Sequence, residues 1–598
     1  MSAGDPIDRN AEWAGALVSG LVRGGVREAV VCPGARSAPL ALALAERDPA
    51  VRLHVVVDER AAAFLALGLA RAARRAVALL TTSGSAGAHA HPAVVEAWHS
   101  AVPLIVITAD RPDELQACGA PQTIDQQRLF GAHTRWFAHL GPPRPGGSAT
   151  WPAALAARAV DRAEGPPAGP VHLNVAFREP LWVPGAEAAW PSAPRVVRAS
   201  LRVEPAQAHE ALELLLAGGS APRGAIVAGP RALAPGEDPT PVLELARRLG
   251  WPVLADPLSG LRHGPGAGEV IASADALLRD AGCARALAPS CVLRLGQLPT
   301  SKPIQSWLAS APGALLVDPQ ADWHDPTHGA AGLLVARSAD ACAGLAQAAE
   351  ARSLAPAPAG WALAWSRAER AARAALDEVS RDGWWEGRLA RTLVEALPAG
   401  ALLQAGSSLP IRDLDAFGGA RPAALTLVGQ RGTNGIDGGV AAAAGAALAW
   451  RHGPVAALLG DVALVHDLGG LAAACELAAP LLLVVADNGG GGIFEQLPVA
   501  AHPRHFERLF LTPSRLDLAR ACAGLGAEVE EVQDPGACAA AVARALERPL
   551  ERPRALLCRV PRPDSVQRRE AAWAHVSRAW RSASAPALEE TACPSMSR

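Results

Sequence analysis

The sequence predicts an α/β protein built from three parallel-sheet units, each flanked by helices. Two observations predict this fold class. Short apolar runs alternate along the chain with longer stretches of helical periodicity, which is typical of parallel strands joined by helices. Two breaks rich in Pro and Ala, at residues 184–205 and 354–360, divide this pattern into three parts. We therefore expect domains at residues 1–190, 200–355 and 375–565, followed by a tail at 566–598.

In the first domain, the predicted strands end in polar residues. The second strand is followed by Glu59 and an alanine-rich helical stretch, and the fourth strand is followed by Arg111. Open α/β sheets bind ligands at the carboxyl ends of their strands, so both residues are candidates for a site. A glutamate that only caps a helix is the alternative for Glu59. The predicted strands are residues 29–32, 53–57, 77–80, 103–108 and 171–175.

The second and third domains repeat the same alternation of strands and helices. Strands of the third domain end just before Ser408, Asp461 and Asn488. We treat the first and third domains as candidates for distant structural copies. The central strands are predicted at residues 224–227, 251–255, 291–295 and 314–317. A helix is predicted at 361–379, ahead of the third unit, whose strands are predicted at 401–404, 454–459 and 481–486.

Composition indicates a globular chain and excludes several functions. Of the 598 residues, 50% are hydrophobic and 19% are charged, which provides apolar surface for several cores. The formal net charge of −2 gives no overall field that would attract nucleic acid or an anionic membrane. The longest apolar run, residues 438–450, is shorter than the ~20 residues that span a bilayer, and no secretory signal is visible. We expect a cytoplasmic protein that binds neither nucleic acid nor membrane.

Asp461, Asn488 and Gly490 are candidate ligands of a metal ion. Mg²⁺ prefers hard oxygen ligands and commonly combines one or two protein carboxylates with substrate phosphates. Asp461 can provide a carboxylate, Asn488 an amide oxygen, and Gly490 a backbone carbonyl where a side chain would obstruct a phosphate. Two ordinary strand-to-helix turns are the alternative interpretation.

Arginines near the ends of predicted strands are candidates for anion binding. A guanidinium group binds a carboxylate through two parallel hydrogen bonds, so several in one cleft would suit substrates with several carboxylates. Surface salt bridges are the alternative for each arginine. Lys302 is the only lysine among 56 basic residues and follows a strand, although a solvated lysine is equally consistent. The arginines in question are Arg36, Arg111, Arg412 and Arg431.

Several segments, in their order along the chain, resemble one enzyme family. They include CPGARSAPL, TADRPDEL, RGTNGIDGG and DNGGGGIFEQLP. Together they resemble the 2-succinyl-5-enolpyruvyl-6-hydroxy-3-cyclohexene-1-carboxylate synthases, the MenD family of menaquinone biosynthesis. The Gly-Asp pair at Asp461, followed by Asn488, resembles the diphosphate-anchoring motif of thiamine-diphosphate enzymes. The chain departs from these patterns at Ala35, Pro121, Val462 and Asp487.

The resemblance implies a three-domain thiamine-diphosphate enzyme fold, with a pyrimidine-binding, a central and a diphosphate-binding domain. It implies a transferase that decarboxylates 2-oxoglutarate on thiamine diphosphate and adds the resulting succinyl-semialdehyde carbanion to isochorismate. The metal is expected to be Mg²⁺, with Mn²⁺ as an alternative, and the assembly a homodimer or homotetramer with active sites between subunits. Another thiamine-diphosphate-dependent decarboxylase or carboligase, and a non-catalytic cofactor-binding relative, are the alternatives.

The resemblance also implies a role for each candidate residue. Glu59 is expected to activate the cofactor and Gln122 to act in catalysis. The implied metal ligands are Asp461, Asn488 and Gly490; the other cofactor-binding residues are Ser408, Ile436, Ile493 and Phe494; and the two acidic substrates are expected to bind Arg36, Arg111, Gln122, Lys302, Ser408, Arg412 and Arg431.

Overall fold

The computed structural model describes residues 8–589, except 145–146, 186–187, 189, 199–201, 217–218 and 220–221. It contains three six-stranded sheets in which all neighbouring strands are parallel, which confirms the predicted α/β class. Parts of the predicted linker at 184–205 and the end of the predicted tail lie outside the described residues. Among the described helices, none is both long and apolar enough to cross a bilayer.

The first sheet lies within residues 28–176. Its strands are β1 (Glu28–Val31), β2 (Arg52–Val55), β3 (Val77–Thr81), β4 (Leu104–Asp110), β5 (Trp136–Leu140) and β6 (Val171–Ala176), and its helices are α1 (Asp8–Gly24), α2 (Ala38–Ala45), α3 (Glu59–Ala73), α4 (Ala86–His89), α5 (His91–His99) and α6 (Thr150–Glu164). The strand order is β2-β1-β3-β4-β6-β5. Strand β5 was not predicted, because this edge strand is only partly buried and its apolar residues are interrupted by His139.

The central sheet lies within residues 224–334. Its strands are β7 (Gly224–Ala228), β8 (Val253–Ala255), β9 (Val270–Ile271), β10 (Cys291–Leu295), β11 (Ala314–Val317) and β12 (Gly332–Leu334), and its helices are α7 (Pro205–Leu216), α8 (Thr240–Leu249), α9 (Ala274–Leu277), α10 (Ala281–Ala286), α11 (Lys302–Ser310) and α12 (Ser338–Ala351). The strand order is β12-β11-β10-β7-β8-β9. The two edge strands, β9 and β12, were not predicted because they are too short to give a periodic signal.

The third sheet lies within residues 401–559. Its strands are β13 (Ala401–Ala405), β14 (Leu425–Gly429), β15 (Val455–Gly460), β16 (Leu481–Asp487), β17 (Glu528–Val532) and β18 (Arg554–Arg559). The helices of this part of the chain are α13 (Ala359–Arg381), α14 (Glu386–Ala396), α15 (Leu409–Phe417), α16 (Gly439–Ala449), α17 (Asp461–His466), α18 (Leu468–Glu476), α19 (Pro503–Phe506), α20 (Leu518–Gly524), α21 (Pro535–Leu546) and α22 (Ser565–Glu589). The strand order, β14-β13-β15-β16-β18-β17, repeats that of the first sheet.

Most of the predicted tail belongs to helix α22, which runs from Ser565 to Glu589. Helix α22 packs along α13 and buries Ala572, Val576 and Trp580 in a core shared with the central domain. These residues recur every four positions, which is the spacing of one helix face. Polar residues between them, namely His575, Ser577 and Arg578, make this spacing hard to recognise in the sequence.

Helices α3 and α16 pack against each other and join the first and third domains. Both helices are rich in alanine and almost wholly buried. A Cβ atom on Gly68 would lie 1.9 Å from the carbonyl oxygen of Ala442, and one on Gly445 would lie 2.1 Å from that of Leu65. Glycine at these two positions therefore permits the close approach that fixes the two domains relative to each other.

Candidate active site

Asp461 and Asn488 lie side by side at the carboxyl edge of the third sheet. Asp461 follows β15 and begins α17, and Asn488 follows the neighbouring strand β16. The two strands pair in parallel with Gly460 opposite Ala486, so the residues that follow them emerge at the same edge. Asp461 is 3% exposed and Asn488 is 9% exposed. The predicted metal ligands are therefore buried neighbours.

The amide oxygen of Asn488 is available for a cation. Its Nδ2 donates a hydrogen bond to Oε1 of Glu386 at 2.9 Å, whereas the buried Oδ1 has no hydrogen-bond partner among the described residues. A buried polar atom without a partner is costly, which favours a ligand at this position. At Gly490, φ is +134° and a Cβ atom would lie 2.3 Å from the carbonyl oxygen of Leu511, so no other residue fits there without movement.

The donor set suits Mg²⁺. Burial raises the pKa of Asp461 to about 6, and an adjacent cation would favour its ionised form. Within the described residues, no group of three or more His, Cys, Asp or Glu side chains is placed to hold a metal ion. One carboxylate, one amide oxygen and one backbone carbonyl match a Mg²⁺ ion that takes its other ligands from a diphosphate and water.

A cavity of about 150 Å³ opens beside these residues. The described residues that line it all come from the segment 386–494. Glu386 and Asp413 also line this cavity, and neither was predicted as a site residue. The predicted site residues brought together in this cavity are Ser408, Ile436, Asp461, Asn488, Gly490, Ile493 and Phe494.

Three predicted cationic residues lie where the third domain meets the central domain. Burial lowers the pKa of Arg431, and the positive charge of Arg412 contributes to the shift, so the two guanidinium groups are close. Arg412 also interacts with Asp275 of α9. Asp275 accepts a hydrogen bond at 2.7 Å from Oγ of Ser301, the residue before Lys302. Arg412 and Arg431 are therefore neighbours, and Lys302 follows a residue that contacts Asp275; none of the three cations lines the cavity.

The remaining substrate-binding candidates form a second group on the first domain. Arg111 donates hydrogen bonds to Oγ of Ser83 and to the carbonyl oxygen of Gln122, both at 2.6 Å. Burial lowers the pKa of Arg111, and the nearby charge of Arg36 lowers it further. Arg36 is buried and donates to Oε1 of Glu179 at 2.8 Å. Ser83 belongs to this group through its hydrogen bond with Arg111 and was not predicted.

Glu59 begins α3 and is partly exposed. Glu59 lies near Cys32, the residue that follows β1. Burial raises the pKa of the Cys32 thiol, and the nearby negative charge of Glu59 raises it further. The side chains of Val55 and Val57 at the same edge are 56% and 81% exposed. The side chain of Glu59 is therefore not enclosed within one chain.

Glu96 on α5 connects the first domain to the loop that contains Arg431 and Ile436. Its carboxylate is 1% exposed and accepts hydrogen bonds from the amides of Gly432 at 3.2 Å and Thr433 at 2.8 Å. The contact of Glu96 with this loop was not predicted, because its two partners lie 336 and 337 residues away in the sequence. No local pattern could have indicated the contact.

Three family models match the chain and define its class. The thiamine pyrophosphate enzyme N-terminal TPP binding domain matches residues 12–129, the middle domain of thiamine pyrophosphate enzymes matches 197–404, and the C-terminal TPP binding domain matches 420–558. A Rhodococcus jostii RHA1 thiamine diphosphate-dependent 4-hydroxybenzoylformate decarboxylase has a similar fold, with a TM-score of 0.68, 17% identity and coverage of 92% of this chain and 100% of that chain. The chain is a thiamine-diphosphate-dependent enzyme.

Curated relatives specify the family. The chain is 44% identical to the 2-succinyl-5-enolpyruvyl-6-hydroxy-3-cyclohexene-1-carboxylate synthase of Geobacillus kaustophilus (strain HTA426), over 86% of this chain and 89% of that protein. It is 43% identical to the synthase of Myxococcus xanthus (strain DK1622), over 90% of this chain and 93% of that protein. The chain belongs to the 2-succinyl-5-enolpyruvyl-6-hydroxy-3-cyclohexene-1-carboxylate synthase family, which confirms the predicted resemblance.

Proposed function

We propose that this chain decarboxylates 2-oxoglutarate and adds the remaining four-carbon unit to isochorismate, with release of CO2, in menaquinone biosynthesis. The observation that most supports a bound metal and cofactor is the buried Oδ1 of Asn488, which lies beside Asp461 and has no hydrogen-bond partner among the described residues, in a member of this family. That oxygen keeps a metal site intact despite the departures at Val462 and Asp487. A non-catalytic cofactor-binding relative would share this feature, so the assay described below separates the two. A cytoplasmic location stays a prediction.

The cavity on the third domain would hold the cofactor. Thiamine diphosphate supplies a nucleophilic thiazolium carbon and accepts the electron pair released when CO2 leaves. Asp461, Asn488 and the carbonyl of Gly490 would bind the Mg²⁺ or Mn²⁺ ion that neutralises the diphosphate. Ser408, Ile436, Ile493 and Phe494 would line the cofactor, since all four border the same cavity.

The two groups of cations would bind the acidic substrates. Both 2-oxoglutarate and isochorismate carry two carboxylates, and guanidinium groups bind carboxylates bidentately. Arg36 and Arg111 would contribute from the first domain, with Gln122 beside Arg111 as a neutral hydrogen-bond donor. The cations contributed by the other group would be Lys302, Arg412 and Arg431, next to Ser408.

We further propose that each active site is shared between two subunits of a homodimer or homotetramer. A cavity of about 150 Å³ is smaller than the roughly 300–1,000 Å³ of most ligand pockets, so the cofactor would extend beyond it. Its described lining includes no residue of the first domain. Glu59 is partly exposed beside two exposed valines, as expected for a surface that another subunit covers. Glu59 of one subunit would then face the cavity of the other.

An assay with both substrates tests the proposed reaction. Purified protein is supplied with thiamine diphosphate, Mg²⁺ and 2-oxoglutarate, with or without isochorismate, and products are followed by mass spectrometry and CO2 release. We expect the carboligation product only when both substrates are present. Decarboxylation without adduct formation would support a different thiamine-diphosphate decarboxylase. Cofactor binding without CO2 release would support the non-catalytic alternative.

Mixed dimers test whether the site is shared. We expect Glu59→Gln and Asp461→Ala subunits each to be inactive as homodimers. A hybrid purified through two different tags would contain one site with both native residues, so we expect about half of the wild-type activity. If one chain supplied both residues of a site, every site of the hybrid would lack one of them, and the hybrid would be inactive.

A further inference from the structure

Glu386 lies directly behind Asn488, on the side away from the proposed metal position. It begins α14, is 3% exposed and lines the same cavity. Its Oε1 accepts the hydrogen bond from Nδ2 of Asn488 at 2.9 Å, and its Oε2 accepts one from Oγ of Ser565 at 2.6 Å. Both carboxylate oxygens are therefore engaged by donors.

This contact selects one of the two orientations of the asparagine amide. Rotating the amide by half a turn exchanges its oxygen and its NH2 group, which have nearly the same shape. A carboxylate can only accept hydrogen bonds, so Glu386 favours the orientation in which Nδ2 faces it. The buried Oδ1 is then directed to the opposite side, where it has no partner among the described residues.

Helix α22 fixes Glu386 in this position. Ser565 begins α22, and Arg569 lies one turn further along the helix. The buried Arg569 forms an ion pair with Asp413, and its NH2 group is 3.7 Å from Oε2 of Glu386. The guanidinium group also lies over the ring of Trp385 at 5.4 Å. Two side chains of the C-terminal helix, Ser565 and Arg569, thus contact Glu386, which lines the cavity.

We propose that Glu386 is a positioning residue that orients the amide of Asn488 and thereby sets the metal affinity of the site. The inference rests on the proposed function, in which Asn488 is a metal ligand. Residues that orient metal ligands commonly change metal affinity by about 10- to 100-fold when they are replaced. Glu386 is expected to act in this way, with Ser565 and Arg569 as its supports.

The Glu386→Gln variant provides the first test. Because Ser565 and Arg569 favour an oxygen at the Oε2 position, the NH2 group of the introduced glutamine is expected to face Oδ1 of Asn488. This contact favours the reversed amide, which turns the NH2 group of Asn488 toward the metal. We expect the dissociation constant for Mn²⁺, measured by electron paramagnetic resonance with thiamine diphosphate present, to rise about 10- to 100-fold. The thermal unfolding midpoint of the metal-free protein should stay close to that of the wild type. Glu395→Gln, an exposed change on the same helix, is the matched control and should leave Mn²⁺ binding unchanged.

The double variant Glu386→Gln/Asn488→Asp separates orientation from a general structural role. A carboxylate has two equivalent oxygens, so one can accept from the introduced glutamine while the other faces the metal. We expect the double variant to recover most of the Mn²⁺ affinity lost in Glu386→Gln. A merely structural role for Glu386 predicts no recovery. If Glu386→Gln fails to fold, Glu386→Asp keeps the charge, withdraws the oxygens by one methylene group and should also weaken Mn²⁺ binding.

The outcomes distinguish this inference from the proposed function. Unchanged Mn²⁺ affinity in Asn488→Ala would show that Asn488 is not a ligand, and the proposed metal site would be wrong. If Asn488→Ala weakens Mn²⁺ binding while folded Glu386→Gln binds as tightly as the wild type, the proposed metal site stands and the positioning role of Glu386 is overturned.

Discussion

Replacing Glu59 by glutamine is expected to lower turnover by roughly 10²- to 10⁴-fold while thiamine diphosphate still binds. This range is typical of residues that transfer a proton in the reaction. The glutamine has nearly the same size and can still form a hydrogen bond, but it cannot gain or lose a proton near neutral pH. The expected loss is therefore in catalysis rather than in cofactor binding.

Steady-state kinetics and cofactor titration together test this prediction. Turnover should fall steeply, whereas the dissociation constant for thiamine diphosphate, measured by calorimetry with Mg²⁺ present, should change little. Glu46→Gln, at an exposed position just after α2, is the control and should behave as the wild type. Turnover of Glu59→Gln close to the wild-type value would leave Glu59 as a helix-terminal residue and reject its assigned role.

The first and third sheets share one strand order, so residues with different proposed roles occupy equivalent positions. In the first sheet, β4 ends at Asp110 and is followed by Arg111; in the third sheet, the equivalent strand β16 ends at Asp487 and is followed by Asn488. Carboxyl ends of parallel strands form the binding edge of such sheets. In the proposed function, one sheet thus contributes a cation for acidic substrates and the other contributes metal ligands. The contrast lies in the side chains rather than in the backbone.

The sequence predicted those parts of the fold that leave a local signal. Central strands appear as apolar runs, and the residues just after them, such as Asp461 and Asn488, could be located to the position. Edge strand β5 was missed because it is only partly buried, and helix α22 was missed because polar residues lie between its buried positions. Tertiary packing, not local propensity, determines such elements.

The residues that support the site could not be predicted for a related reason. Glu386 contacts Asn488 across 102 residues and Ser565 across 179, and neither spacing forms a motif. The environment of Glu59 was also beyond the sequence, since it depends on surfaces that only the folded chain presents. The groups proposed to contact ligands follow local motifs, while the groups proposed to orient them depend on tertiary structure.

Replacing Asp461 by alanine is expected to abolish Mg²⁺-dependent binding of thiamine diphosphate. Asp461 provides the only carboxylate among the proposed ligands, so its loss removes the main charge that balances the cation. The affinity should fall by more than the roughly 10- to 100-fold typical of residues one step removed from a metal. Calorimetric titration of the cofactor, with and without Mg²⁺, measures both the affinity and its dependence on the metal.

Asp534→Ala is a matched control for this prediction, because Asp534 also lies between a strand and a helix of the third sheet. Its carboxylate accepts a hydrogen bond from the amide of Ala537 at 2.8 Å and so caps α21. Loss of a helix cap costs about 1 kcal/mol of stability and should leave cofactor affinity unchanged. Asp461→Ala is expected to have the opposite effect: cofactor binding is lost and the fold stays intact. If Asp461→Ala binds the cofactor as tightly as the wild type, Asp461 ends an ordinary strand-to-helix turn and the metal must lie elsewhere.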